Sequence, residues 1–471
     1  MATIKKIVKN TRNYLIGQLL YNFINFIILI YIARYLGSED YGIYSYVITY
    51  LFFFEVFSSL GINLIVVREI SKERSASGKI IGNAIILKII LSVIAIISSI
   101  IITNMMNNSP EIKVLTAIAS ITVLFSSIRA VSASVFQVDY KLEYLILGNL
   151  TESIIFGINI LIIIFFSYGL NLIIFAFIFS KFVGLFVTLF YSRKFTNYDF
   201  KLDTVFCKNL IFDSIPVGIT VVLRAIYYRI NLIILFSMKT SAEVGLYSSA
   251  LTLVSSLSII PTSIMLSLFP MFSEYAKSSN EKLIKLYEKS FKLLIIISIP
   301  LAINIAYFSK DIIQLTYGPE FIGASFSLTI LIWSQVFAFL NSLFQNVVVA
   351  VGKQKISAYM AMFMAIFNIV VSYLLIPHYS LLGASVAMVL TEALGTFFGY
   401  IYINTFLIRK SFYSYVTKVL LVNIFLIFLI SILNNLLPFY ILIIIYFVTY
   451  ILVTRIIKDL NIIAILYNKD I

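Results

Sequence analysis

Apolar runs recur along the whole chain, and polar residues collect in short breaks between them. Each run is long enough, at 1.5 Å per helical residue, to cross the roughly 30 Å hydrocarbon layer of a bilayer. The pattern predicts a first group of helices near 13–33, 44–67, 80–103, 112–136, 144–166 and 169–191. A second group falls near 208–236, 244–270, 290–308, 325–350, 357–376 and 381–404, and two more near 416–434 and 437–454. That is an all-α polytopic membrane protein of about fourteen spans, since a segment in hydrocarbon must satisfy its own backbone groups. The expected organisation is a six-helix lobe over 1–191, a polar linker over 192–207, a second six-helix lobe over 208–404, and two further helices with a tail over 405–471.

Composition agrees with this. Of 471 residues, 61% are hydrophobic and 12% charged, with mean hydropathy +1.02. A soluble domain is nearer half apolar and a quarter charged. The longest polar connection, Ser273 to Lys289, is too short to bury a core of its own. It reads as a solvated inside loop, with an amphipathic surface helix as the other reading. The single cysteine, Cys207, excludes an intrachain disulfide and a cysteine zinc cluster. There is no phosphate-binding Gly-x-x-x-x-Gly-Lys-Ser/Thr loop and no His-Glu-x-x-His, so no cofactor, metal or catalytic group is expected. The lone His378 follows Pro377 and reads as an exposed turn residue.

A net charge of +14 raises the question of a nucleic-acid partner, and its distribution answers it. With the N-terminus inside, the inner segments hold most cations. They run from the amphipathic lead-in (Lys5, Lys6, Lys9, Arg12), through Arg68, Lys72, Arg74 and Lys79, to Arg409, Lys410, Arg455, Lys458 and Lys469. The outer segments keep only Arg34, Lys113, Lys239 and Lys310. This asymmetry predicts cytoplasmic termini, an even number of spans, and no nucleic acid. The lead-in reads as cytoplasmic rather than as a cleaved signal, because no small-residue cleavage site follows it.

Five cations remain inside spans: Lys88, Arg129, Lys181, Arg224 and Arg229. A guanidinium at bilayer depth costs about 2.5–3.5 kcal/mol on insertion scales and keeps its proton. Such residues face a bundle interior or a water-filled cavity, and a cationic cavity points to an anionic cargo. Arg224 and Arg229 are the main candidates for contacting it, with Tyr227 and Tyr228 as stacking surfaces. Lys88, Lys181 and Arg129 are the weaker cavity candidates: either lysine can snorkel toward an interface, and for Arg129 snorkelling is the favoured reading. Glu55, Glu152, Asp213 and Glu392 are the acids that could pair with these cations or carry an ion for coupling.

The chain also repeats itself. Ser38-Glu-Asp-Tyr-Gly-Ile-Tyr-Ser45 and Ser241-Ala-Glu-Val-Gly-Leu-Tyr-Ser248 match at one constant offset. Both are outer turns with a serine placed to cap the next helix and acid in its first turn. An even span count between them implies parallel halves related by an axis along the membrane normal. Arg34, Glu39, Asp40 and Glu243 are the outer-turn or outer-gate residues of this pattern, with capping favoured over chemistry.

Several segments resemble the polysaccharide transporters, of the O-antigen flippase type, in the multidrug/oligosaccharidyl-lipid/polysaccharide exporter superfamily. They are Ala33-Arg-Tyr-Leu-Gly-Ser-Glu-Asp-Tyr-Gly-Ile-Tyr-Ser45, Phe57-Ser-Ser-Leu-Gly-Ile-Asn63 and Val67-Arg-Glu-Ile70 in the first half. In the second are Ile226-Tyr-Tyr-Arg-Ile-Asn-Leu-Ile-Ile-Leu235, Gln345-Asn-Val-Val-Val-Ala-Val-Gly-Lys-Gln354 and Ser380-Leu-Leu-Gly-Ala-Ser385. The chain departs from the family pattern at Asn231, where an acid often stands, and at His378-Tyr-Ser380, where a glycine-containing turn is common. The resemblance implies a two-lobed bundle with a central cavity that opens to either side in turn. It implies transport, from inner to outer leaflet of a bacterial or archaeal plasma membrane, of an isoprenoid pyrophosphate carrying an oligosaccharide. Membrane lipids and a polysaccharide polymerase machinery are the further partners it suggests. The alternatives are a multidrug cation antiporter of the same superfamily, which requires an acidic cavity; a peptidoglycan-precursor flippase, whose cargo shares the pyrophosphate; and a membrane glycosyltransferase, which requires a large outer loop.

Overall fold

Inside and outside are exchanged relative to a soluble protein. On the helix Ser77–Met105, Ile90, Ile94, Ile97 and Ile101 form an exposed stripe, while Lys88, Ser92, Ser99 and Thr103 on the other face have no exposed surface. Hydrocarbon outside supplies no hydrophobic force between helices, so small and polar side chains make the contacts within. The computed structural model of the protein describes residues 2–407, 412–434 and 436–457, with residues 2–13, 406 and 456 as backbone. Arg409, Lys410, Lys458 and Lys469, and the side chains of Lys5, Lys6, Lys9 and Arg12, lie outside the described residues.

The described residues are helical with no strand. The helices are α1 Ala2–Ser59, α2 Ile62–Lys72, α3 Ser77–Met105, α4 Pro110–Ala119, α5 Ile121–Ser132, α6 Ser134–Val138, α7 Leu142–Phe165, α8 Leu170–Ser192 and α9 Thr204–Met238. They continue with α10 Ser241–Ser256, α11 Ile259–Ser278, α12 Asn280–Tyr307, α13 Ser309–Tyr317, α14 Ala324–Ala350, α15 Gln354–Phe406, α16 Tyr413–Leu433 and α17 Phe439–Ile456. Among the described residues, eleven segments are long and apolar enough to cross a membrane, and a shorter apolar helix covers Phe439–Arg455.

Some of these are too long for one crossing, and each contains a break. The segment Tyr14–Lys72 turns at Gly37, with φ 73° and ψ 179°, a region open to glycine and strained for other residues. It breaks again at Leu60 and Gly61, both with positive φ. The segment Gln354–Thr405 turns at Ser380, with φ 50° and ψ −129°. This is the His378-Tyr-Ser turn, and His378 is exposed there.

The chain forms two units, residues 1–245 and 246–471. In the first, α1 packs against α3, α5, α7 and α9, and α5 packs against α3 and α8. The two repeated turns touch reciprocally. A Cβ on Gly42 would fall 1.8 Å from the Ser241 carbonyl oxygen, and one on Gly245 would fall 1.9 Å from the Ser38 carbonyl oxygen. Each repeat is thus a small-x-x-x-small pair that lets backbones approach closely.

The polar linker lies along α3. Asp199 N donates to Gly78 O at 3.1 Å, and Asn83 Nδ2 donates to Lys201 O at 2.9 Å. Asp203 then caps α9 by accepting from Phe206 N at 2.9 Å, and its carboxylate meets Lys79 at 2.8 Å. In the second unit, α14 packs against α12 and α15, and Phe291 stacks on Phe412 at 4.2 Å.

One expectation is corrected here. Ser273 to Lys289 is not a solvated loop: α11 runs to Ser278 and α12 starts at Asn280, with Ser279 accepting from Lys282 N at 3.4 Å. Leu283, Leu286 and Tyr287 are buried while Lys285 pairs with Glu281, so the amphipathic helical reading holds.

Candidate functional site

Three helices of the first unit bring a buried acid between two cations. Glu152 on α7 accepts Lys181 Nζ of α8 on Oε1 at 3.0 Å and the guanidinium of Arg129, from α5, on Oε2. Arg129 also donates to Asn149 Oδ1 at 2.6 Å and to Thr188 Oγ1 at 3.2 Å. The Lys181 ammonium lies 5.4 Å from the centre of the Phe177 ring. Gly184 makes the space, because a Cβ there would stand 3.0 Å from both Arg129 Nη1 and Glu152 Oε2. Arg129 and Lys181 therefore do not snorkel to an interface: Glu152 gives each a counter-charge inside the unit. Two cations on one acid leave the cluster positive.

Lys88 on α3 is fully buried, and its Nζ donates to Ser58 O at 3.4 Å. Ser58 Oγ bonds Ser127 Oγ at 2.8 Å, tying α1 to α5 at the same level. Glu55 is half-buried one turn back along α1, and its charge acts on both Lys88 and Lys181 without a direct ion pair to either.

Arg224 and Arg229 are both exposed on α9, as is Tyr228, while Tyr227 is buried. The Arg229 guanidinium lies 5.5 Å from the centre of the Phe52 ring on α1. Tyr227 and Tyr228 contact each other, with ring centres 4.2 Å apart. Pro216, earlier in α9, withholds one backbone donor within the helix.

The other acids have partners elsewhere. Asp213 is exposed and bonds Arg68 of α2. It pairs with α2 rather than with one of the five cations within spans. Glu392 is fully buried in the second unit and accepts from Asn341 Nδ2 at 2.6 Å; Asn341 Oδ1 in turn accepts from Thr396 at 3.2 Å.

At the repeated turns, Arg34 and Glu39 are exposed and Asp40 is half-buried. Glu243 Oε2 accepts from Thr240 N at 3.2 Å and Thr240 Oγ1 at 3.1 Å, while Thr240 Oγ1 accepts from Glu243 N at 3.3 Å. This is a reciprocal capping box. The cap of α10 is Thr240, one residue before the expected Ser241.

The structure thus gathers Arg129, Glu152 and Lys181, places Glu55 and Lys88 nearby, and leaves the side chains of Arg224 and Arg229 exposed on α9. Asn149, Thr188 and Ser58 take part without having been singled out in the sequence. The small residues at 184 and 188, one turn apart, were the available signal.

The family model described as "Polysaccharide biosynthesis protein" matches residues 7–276, and a MatE model matches residues 216–374. An uncharacterised membrane protein of Methanocaldococcus jannaschii is 32% identical over 181 residues, an alignment spanning 37% of this chain and 35% of that protein. The probable low-salt glycan biosynthesis flippase Agl15 of Haloferax volcanii is 22% identical over 83% of this chain and 82% of that one. Among solved structures, the lipid II flippase MurJ in an inward closed conformation superposes with a TM-score of 0.80 at 16% identity, covering 94% of this chain and 98% of that one. The likeness to MurJ is one of fold, whereas the first family model covers more than half of the sequence. The chain belongs to the polysaccharide biosynthesis protein family.

Proposed function

We propose that this protein is a flippase of the plasma membrane that moves an isoprenoid-pyrophosphate-linked oligosaccharide from the inner to the outer leaflet by alternating access. The observation that carries the reading is the pair of exposed guanidinium side chains, Arg224 and Arg229, the only charged residues in the stretch 214–238 of α9. Arginine matches phosphate oxygens with paired donors and does not lose its charge. The interior of the first unit adds Lys88, Arg129 and Lys181 against Glu55 and Glu152, a balance that favours an anion over a cationic drug. The names of the relatives, a glycan biosynthesis flippase and a lipid II flippase, agree with a lipid-linked cargo. In the proposed cycle the cations hold the pyrophosphate on the inner side, the unit rearranges, and the lipid tail stays in the bilayer throughout.

The test is the sidedness of lipid-linked oligosaccharide in cells carrying wild type, a deletion, or the double substitution Arg224→Ala and Arg229→Ala. Accumulation on the inner leaflet in the deletion and the double variant is the expected result. Unchanged sidedness in the deletion defeats the cargo assignment, and a gain in drug sensitivity there favours the antiporter.

A further inference from the structure

Beside the charge cluster, the first unit holds a buried face lined by hydroxyls. Lys88, Ser92, Ser99 and Thr103 on α3 are spaced by four, seven and four positions and share one side of the helix. All four lack exposed surface. Tyr50 of α1 donates to Ser99 O across this face at 2.7 Å. Helical hydroxyls here commonly bond a carbonyl one turn back, as Ser99 does with Ile96 O at 2.8 Å and Thr122 with Ala119 O at 2.7 Å. Two do not: among the described residues Ser92 Oγ, and Thr116 Oγ1 on α4, which packs against α3, are buried without a partner. A buried polar group left unsatisfied costs about 1–3 kcal/mol. An internal water with several polar partners is the usual relief.

We propose that Lys88 is a proton-binding site in the interior of the first unit, reached through water held at Ser92, one turn along the same face. The amine sits where its charge has a consequence. Its acceptor, Ser58 O, is among the last carbonyls of α1, whose partial negative charge attracts an ammonium. Two residues later the chain breaks at Leu60 and Gly61. On α9, Gly218 packs on that break, where a Cβ would fall 2.5 Å from Leu60 O. Arg224 is six residues further along the same helix. Gain or loss of a proton at Lys88 thus changes the hold on a break against which the arginine helix is packed.

Glu55 on α1 is the charged group that acts on Lys88. Several other charged groups on neighbouring elements have partners of their own. Arg129 on α5 is held by Glu152, and Arg68, Glu69 and Lys72 on α2 bond one another and Asp213. On α9, Asp203 meets Lys79 and the Cys207 thiol faces Asn83. Lys113 on α4 bonds Asn104 O at the far end of α3, and Glu111 stands near it in sequence.

As a step in transport, this site rests on the flippase reading; as a proton site, it does not. Melting temperatures of the full-length protein in nanodiscs, from acid to alkaline pH, compare wild type with Lys88→Met, Lys88→Gln and Ser92→Ala. A site that titrates makes the difference between wild type and Lys88→Met change with pH. A difference that stays constant across pH overturns the proposal. Ser92→Ala, which keeps the amine, is expected to move the pH at which the difference changes; no movement overturns the water path. Sidedness of the glycan lipid is then followed at two external pH values, where wild type responds to pH and Lys88→Met does not. Equal responses overturn a role in coupling. If the cargo reading fails, the melting comparison still decides the proton site.

Discussion

Gly42 lies against the carbonyl of Ser241 so closely that an added methyl would stand 1.8 Å from the oxygen. Gly245 meets the Ser38 carbonyl in the same way, at the offset that relates the two sequence repeats. The atoms in the way are backbone, which cannot rotate aside. Gly42→Ala or Gly245→Ala should each lower the melting temperature, with an overpacking cost of about 1–3 kcal/mol. Gly169→Ala, where nothing lies within 4 Å, should melt as wild type does.

Removing the charge of Glu152 leaves two cations facing each other in a buried site. Loss of one partner from a buried ion pair costs about 3–5 kcal/mol. Glu152→Gln should therefore reduce folded yield and melting temperature sharply. Combining it with Lys181→Met should recover part of the loss, a coupling that a double-mutant cycle in thermal melts would measure.

Ser380 takes a backbone conformation, φ 50° and ψ −129°, that favours glycine. Ser380→Gly should stabilise the protein, by about 1 kcal/mol if the strain is relieved in full. A fall in melting temperature would mean that the serine side chain contributes more at this turn than the strain removes.

Asp203 offers a pH-dependent contribution outside the membrane. The Lys79 ammonium, and then the Phe206 N–H, hold its carboxyl below the usual carboxylate range. A depressed folded value means stability that is present above the ordinary value near pH 4 and lost as pH falls through the folded one. Asp203→Asn keeps an acceptor for the cap but not the charge. Its melting temperature should decline less steeply than that of wild type in the acid range, and parallel curves would rule out this linkage.

The sequence made the membrane helices and the repeat legible because both are one-dimensional signals. Length and hydropathy mark a crossing, and a constant offset marks a copy. Neither carries an azimuth, which is why Arg129 was expected to snorkel and Glu152 was one of four acids that could serve any cation. Their pairing depends on how α5, α7 and α8 rotate against one another, with Gly184 leaving the room. The reading of 273–289 as a loop failed for a related reason. Its polar residues are one face of a helix whose other face buries Leu283, Leu286 and Tyr287. The two boundaries also differ in kind. The polar linker separates the sequence repeats, whereas contacts join α9 to the first unit through its packing on α1.

Cys207 is the only thiol in the chain, and it is buried with its sulfur 3.6 Å from Asn83 Oδ1. A thiol so enclosed should be nearly silent toward bulky, membrane-impermeant maleimides. The natural protein is then its own background for accessibility labelling: a cysteine placed at 224, 229 or 359 would report alone. Which side of the membrane each position sees, and when, becomes readable without first removing a native residue.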